Sequence, residues 1–157
     1  MDPVVTESAA RYAVSSHISE TGYVNHTKAI HLMKSADILL LVINNVEGAA
    51  GIMTGKLFEY IAAGRPILGI GPTHGDAAEA VRQASAGRMF TYEDAKGVAD
   101  FLRANIAAKR RGQRMEGATW KAAQTFSRLS QTRQLSGILS EMVEALDPAQ
   151  PHGEADA

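Results

Sequence analysis

The stretch ADILLLVIN, residues 36–44, constrains the fold of this chain more than any other. From Ile38 to Ile43 the apolar residues follow one another without a polar break. A strand with one wet face alternates apolar and polar side chains. A continuous run is expected where both faces are covered, as inside a parallel sheet. RPILGIG (65–71) has the same character, and GRMFTY (87–92) has it more weakly. ISETGYV (18–24) also reads as a short strand. Helical segments are expected between these runs, at 25–35, 54–63, 76–86 and 94–108, with TESAARYAVSSH (6–17) helical before them. A long helical stretch from about Ala118 to Leu146 would bring Trp120, Ala123, Phe126 and Leu129 to one face. Strand and helix in alternation predict an α/β fold, a Rossmann-like parallel sheet flanked by helices with right-handed crossovers.

Composition narrows the function. The 157 residues suffice for one domain with a real core, and 45% hydrophobic with 21% charged residues is a soluble globular balance. A formal net charge of −1 gives no basis for nucleic-acid binding. Without cysteine there is neither a disulfide nor a thiolate metal site, which fits a reducing, cytoplasmic setting. No apolar run nears the roughly 18–20 residues of a membrane span. The Met-Asp-Pro opening has no basic region of a signal peptide. Residues 147–157, DPAQPHGEADA, are expected to be a disordered tail after a domain covering 1–146.

The segment GIMTGKLFEYIAAGRPIL (51–68) carries the most chemistry. It imitates a phosphate-binding loop of the type G-x-x-x-x-G-K-[ST], but the first glycine position is Ala50 and the residue after Lys56 is Leu57, which cannot ligate magnesium. Thr54 is placed to cap a helix, Gly64 to stop it, and Pro66 to prevent its continuation. The run 36–44 therefore leads through the loop VEGAAGIM into a helix N-terminus. In open parallel sheets ligands bind outside the carboxyl ends of strands, and the N–H groups of a helix start favour an anion such as phosphate. Lys56 either salt-bridges that anion or lies along the helix. Glu59 has apolar or aromatic neighbours in Leu57, Phe58, Tyr60 and Ile61, so partial desolvation is expected. It is either a solvated helix glutamate or an acceptor for two vicinal hydroxyls, as on a ribose.

Other motifs are weaker. GIGPTHG (69–75) approaches G-x-G-x-x-G, but its last glycine comes one residue late, and a turn capped by Asp76 explains it. The histidines at 17, 26, 31, 74 and 152 have no metal-ligand spacing, and no G-x-S-x-G elbow is present. The cluster KRRGQR (109–114) is a solvated helix end or a contact for acidic lipid headgroups.

TGKLFEYIAAGRPIL, with TGYVNHTKAIHLMKSADILLLV upstream, GDAAEAVRQASAGRMF and FSRLSQTRQLSGIL downstream, resembles the nucleotide-binding C-terminal domain of GT-B glycosyltransferases, family 4-like and retaining. The resemblance implies that Glu59 binds the donor ribose, that Thr54, Gly55 and Lys56 meet the diphosphate, and that Tyr23 and Val24 lie beside the base. It places Gly71 and Gly75 near the transferred sugar. The second glutamate of many relatives, eight residues before the ribose-binding one, is Gly51 here. The donor substrate would be a nucleotide diphosphate sugar, with no cofactor and no metal. No residue matches a catalytic group, because the acceptor-binding domain and the first two donor-domain strands are missing from the pattern. The isolated chain is thus expected to be inactive without a partner polypeptide. With those strands missing, 36–44 becomes an exposed edge, which predicts rearranged pairing or a homodimer across the sheet. Two alternatives stand beside this reading: a non-catalytic module that kept the fold, and a sugar-nucleotide epimerase. The complete enzyme would be cytoplasmic, with a peripheral membrane contact through the basic cluster.

Overall fold

The computed structural model describes residues 2–113, 115 and 117–146, so the expected tail from Asp147 lies outside the described residues. The chain forms two compact units, Met1–Leu32 and a larger one from Met33 onward. The first unit holds helix α1 (Pro3–Arg11), capped by Asp2, whose carboxylate accepts from the Val4 N–H at 2.8 Å. A short 3-10 turn follows at Ser15–His17. The helix expected over 6–17 thus starts earlier and stops at Arg11, where Ala13 takes a positive φ of 53°. The strand expected at 18–24 is absent. Gly22 adopts φ 64° in the middle of the run, and a left-handed residue cannot continue an extended ladder.

Helix α2 (His26–Ser35) precedes the sheet of the larger unit. Its three strands are β1 (Leu39–Val42), β2 (Ile67–Ile70) and β3 (Gly87–Phe90), parallel and in chain order, with Leu41 opposite Gly69 and Gly69 opposite Met89. Between and after them run α3 (Gly55–Ala63), α4 (Asp76–Gln83), α5 (Ala95–Arg110), α6 (Trp120–Gln124) and α7 (Arg128–Leu146). The α/β class with a helix-flanked parallel sheet is thus present. Pairing is not rearranged among the described residues, and β1 is an edge strand.

One face of the sheet, carrying Leu41, Ile67 and Met89, meets Leu57 and Ile61 of α3 and Ala77, Ala80 and Val81 of α4 in a single core. The other face buries Leu68 and Phe90, and Phe90 stacks edge-on against Phe101 of α5 with centroids 5.7 Å apart. That cover stops short of β1, where Leu40 and Val42 are each 54% exposed. The expectation of a strand buried on both faces therefore fails at β1. An unbroken apolar run signals two coverable faces, not that both coverings are present.

The long helix expected over 118–146 is broken at Thr125–Ser127. The Thr125 hydroxyl donates to the Ala122 carbonyl at 2.6 Å, and the Ser127 hydroxyl accepts from the Ser130 N–H at 3.2 Å, so one side chain closes α6 and the other opens α7. Ala123 and Phe126 pack on the core, with Phe126 6.0 Å from Phe58, while Trp120 and Leu129 face solvent. The four residues therefore do not share one buried stripe. Among the described residues no helix is long and apolar enough to cross a membrane.

Candidate functional site

Two loops meet beyond the carboxyl ends of the strands. The first leaves β1, turns through Ala49–Gly51 in a 3-10 conformation and enters α3. The second leaves β2 and enters α4 at Gly75. They touch at Gly75: with φ 143°, a side-chain carbon there would fall 2.2 Å from the Ala50 carbonyl oxygen, so only glycine lets the loops close on each other. This contact sets the Gly75 end of the second loop against Ala50, next to Gly51 in the first. Tyr23 and Val24 belong to the smaller unit, where Tyr23 is fully exposed.

Thr54 occupies the cap position of α3 in an extended conformation, but its hydroxyl makes no capping bond. The Leu57 N–H instead donates to the Thr54 carbonyl at 3.1 Å. Helix geometry gives the earlier amides, on Gly55 and Lys56, no acceptor within α3, and both residues are exposed. No acidic residue stands in this first turn, and Lys56 does. The first turn of α4 contains Asp76 and Glu79. Of the two helix starts at this end of the sheet, α3 therefore attracts an anion and α4 repels one. Asp76 itself is the first helical residue; the cap is Gly75, which corrects the expected role of Asp76.

Glu59 lies one turn beyond Gly55 on the same helix face. Helical side chains lean toward the N-terminus, so a glutamate here reaches back over the turn that holds the free amides. Gly51 and Gly55 leave this approach open, since a side-chain carbon built at either meets nothing within 4 Å. Glu59 is exposed rather than partly desolvated, because its apolar neighbours Leu57 and Ile61 turn to the opposite, buried face. Among the described residues it has no hydrogen bond or ion pair. Its charge is felt by the adjacent Tyr60 phenol, whose pKa is raised first by burial and second by Glu59.

Sequence reasoning overlooked a different feature. A cavity of about 530 Å³ lies at the amino end of β1, lined by Asp37, Ile38, Asn105, Lys109, Gln113 and Met115. Lys109 pairs with Asp37 at 2.5 Å across its mouth. The Asn105 amide nitrogen donates to the Phe101 carbonyl at 2.9 Å while its Oδ1 is buried without a partner. This cavity is at the opposite end of the strand from the α3 start. Its only sequence signal was an asparagine on the core-facing side of a helix. Among the described residues no group of three or more His, Asp or Glu side chains could hold a metal. In the KRRGQR cluster, Lys109 is engaged by Asp37, Arg110 and Arg111 are exposed, and Arg114 lies outside the described residues.

No family model, curated protein or solved structure matches this chain.

Proposed function

We propose that this chain is the donor-nucleotide half of a retaining glycosyltransferase that moves a sugar from a nucleotide diphosphate to an acceptor hydroxyl. One observation carries the reading: the unengaged Glu59 carboxylate stands one turn above the free, cation-flanked amides that open α3, along an approach kept clear by Gly51 and Gly55. A diphosphate fits the amides of Gly55 and Lys56, and the vicinal hydroxyls of a ribose fit the two oxygens of a carboxylate about 6 Å further along the helix. The sugar would then lie toward Gly71–Gly75, an assignment that rests on the family resemblance. Catalysis in the complete enzyme would come from positioning and from stabilising the departing diphosphate, with the acceptor side supplied by another domain or a partner chain. A contact of the complete enzyme with acidic lipid would use Arg110 and Arg111.

A second reading, a nucleotide-binding or assembly module without chemistry, is favoured by the exposure of Glu59, which leaves the site shallow. Calorimetry separates the donor-nucleotide half from an assembly module that binds no nucleotide. Uridine, guanosine or adenosine diphosphate is expected to bind with Kd on the order of 0.1–1 mM, roughly 4–5.5 kcal/mol. Glu59→Ala is expected to weaken this about tenfold, or ~1.4 kcal/mol, the lower end for a charge-assisted hydrogen bond because the group is solvated. Absence of heat with all three nucleotides, or unchanged affinity in Glu59→Ala, would overturn the proposal.

A further inference from the structure

Helix α5 ends in a turn that its backbone fixes. The Gly112 N–H donates to the Lys109 carbonyl at 2.9 Å and the Gln113 N–H to the Ala108 carbonyl at 3.0 Å. Gly112 takes φ 71°, the left-handed residue that such a helix stop requires. The chain therefore folds back, and Gln113 and Met115 join Asn105, Ile106 and Lys109 of α5 around the cavity at the amino end of β1.

Two carboxamides line this space, and the bonds they already make settle which end of each is left over. The Phe101 carbonyl can only accept, so the Asn105 group that meets it at 2.9 Å is the NH2. The Asn105 Oδ1 remains, in a residue 7% exposed and with no partner among the described residues. The Arg111 guanidinium can only donate, so the Gln113 atom that meets it at 3.2 Å is Oε1. The Gln113 NH2 remains, with no acceptor among the described residues. A buried acceptor without a donor is destabilising, and a leucine would occupy the same place without that cost. The cavity thus offers one acceptor and one donor on a border that is otherwise largely apolar.

Charge and surface narrow the ligand further. Among the described lining residues the charged groups are Lys109 and Asp37, which neutralise each other at 2.5 Å. Ile38, Ile106 and Met115 supply the apolar surface. We propose that this cavity binds a neutral, flat heterocycle whose edge carries an N–H beside a C=O, the lactam edge of a pyrimidine or purine base. The ligand N–H donates to Asn105 Oδ1, its C=O accepts from the Gln113 NH2, and the ring lies against the apolar side chains, with the Met115 sulfur suited to an aromatic neighbour. A volume of about 530 Å³ falls within the range of small-molecule sites. The cavity and the start of α3 lie at opposite ends of the strand, so this site is independent of the nucleotide reading.

Titration with free uracil and free hypoxanthine, followed by NMR of the backbone and side-chain amides, tests the site. The controls are the N-methylated form of each base, in which a methyl group replaces the lactam N–H. At least one of the two bases is expected to bind with Kd on the order of 1 mM, in keeping with its small size. The side-chain NH2 signals of Asn105 and Gln113 are expected to move most, while the Gly55 and Lys56 amides stay still. The N-methylated form is expected to bind about tenfold more weakly or worse, because it leaves Asn105 Oδ1 without a donor. Asn105→Leu, which keeps the volume and removes the acceptor, is expected to weaken the unmethylated base by a similar factor. Absence of a saturable shift at Asn105 and Gln113 with both bases overturns the proposal. Equal affinity for the methylated form also overturns it, and that comparison uses the unmodified chain, so it holds even if Asn105→Leu does not fold. Undiminished binding in folded Asn105→Leu overturns it as well.

Discussion

Gly87→Ala is expected to lower the melting temperature of the larger unit by about 10 °C or more, or to leave it unfolded, a loss above roughly 3 kcal/mol. Gly87 opens β3 opposite Ile67 with φ 154°, a backbone region that residues with a Cβ rarely adopt. A side-chain carbon there would stand 2.0 Å from the Ile67 carbonyl oxygen and 2.5 Å from its nitrogen. Those atoms belong to the central strand, held on both sides by parallel ladders, so they cannot retreat without breaking one. The Ala86 carbonyl accepts the Ile67 N–H at 2.8 Å, which pins the same spot from the other direction. Thermal unfolding followed by circular dichroism measures the effect. A shift below about 2 °C would show that β2 and β3 are not packed as described.

Leu57→Ala is expected to cost about 2–5 kcal/mol. Leu57 is 0% exposed, and with Ile61 it is one of the two buried side chains that anchor α3 to the sheet. Its removal leaves a cavity against the strands, and a helix held by one remaining anchor shifts its first turn. The same substitution should therefore weaken nucleotide binding although Leu57 touches no ligand. Leu57→Met, which conserves volume, is expected to cost less than about 1.5 kcal/mol and to keep affinity. Denaturant unfolding and calorimetry on the two variants check this, and equal stabilities would contradict the placement of Leu57 in the core.

These residues also show how far the sequence reached. The strands at 36–44, 65–71 and 87–92 were legible because long apolar stretches between helices have few alternatives, and the observed strands lie inside each. Helix α3 was legible because its stop is chemical: Gly64 takes φ 66° and Pro66 follows. The turn at Thr125–Ser127 was not, since residues of intermediate helix propensity break a helix only when their hydroxyls find backbone partners, which depends on tertiary context. ISETGYV had the residues of a strand, but one glycine in the left-handed region outweighed them. The exposure of Leu40 and Val42 was also hidden. The run predicts two apolar faces, and only the packed structure tells which one finds a cover.

The candidate site was legible in position more than in detail. A strand, a glycine-bearing loop and a capped helix placed Thr54, Gly55 and Lys56 at the carboxyl end of the sheet. The closeness of Ala50 to Gly75, which brings the second loop alongside, follows from tertiary packing and has no local signature. The exposure of Glu59 was misjudged because adjacent apolar residues on a helix point to another face. Which of two helix starts suits an anion was also open until Asp76 and Glu79 were seen together in the first turn of α4.

The central claim is that a nucleoside diphosphate docks across the first turn of α3, with its phosphates on the helix amides and its ribose on Glu59. Amide-resolved NMR titration tests it most directly, with uridine, guanosine and adenosine diphosphates and with inorganic pyrophosphate as the phosphate-only probe. The account predicts the largest shifts at Gly51, Thr54, Gly55 and Lys56 for at least one nucleotide, and Glu59→Gln should weaken the nucleotide while leaving pyrophosphate unchanged. Shifts confined to the Asp37–Lys109 cavity, or none at α3 with any of the four probes, would contradict it.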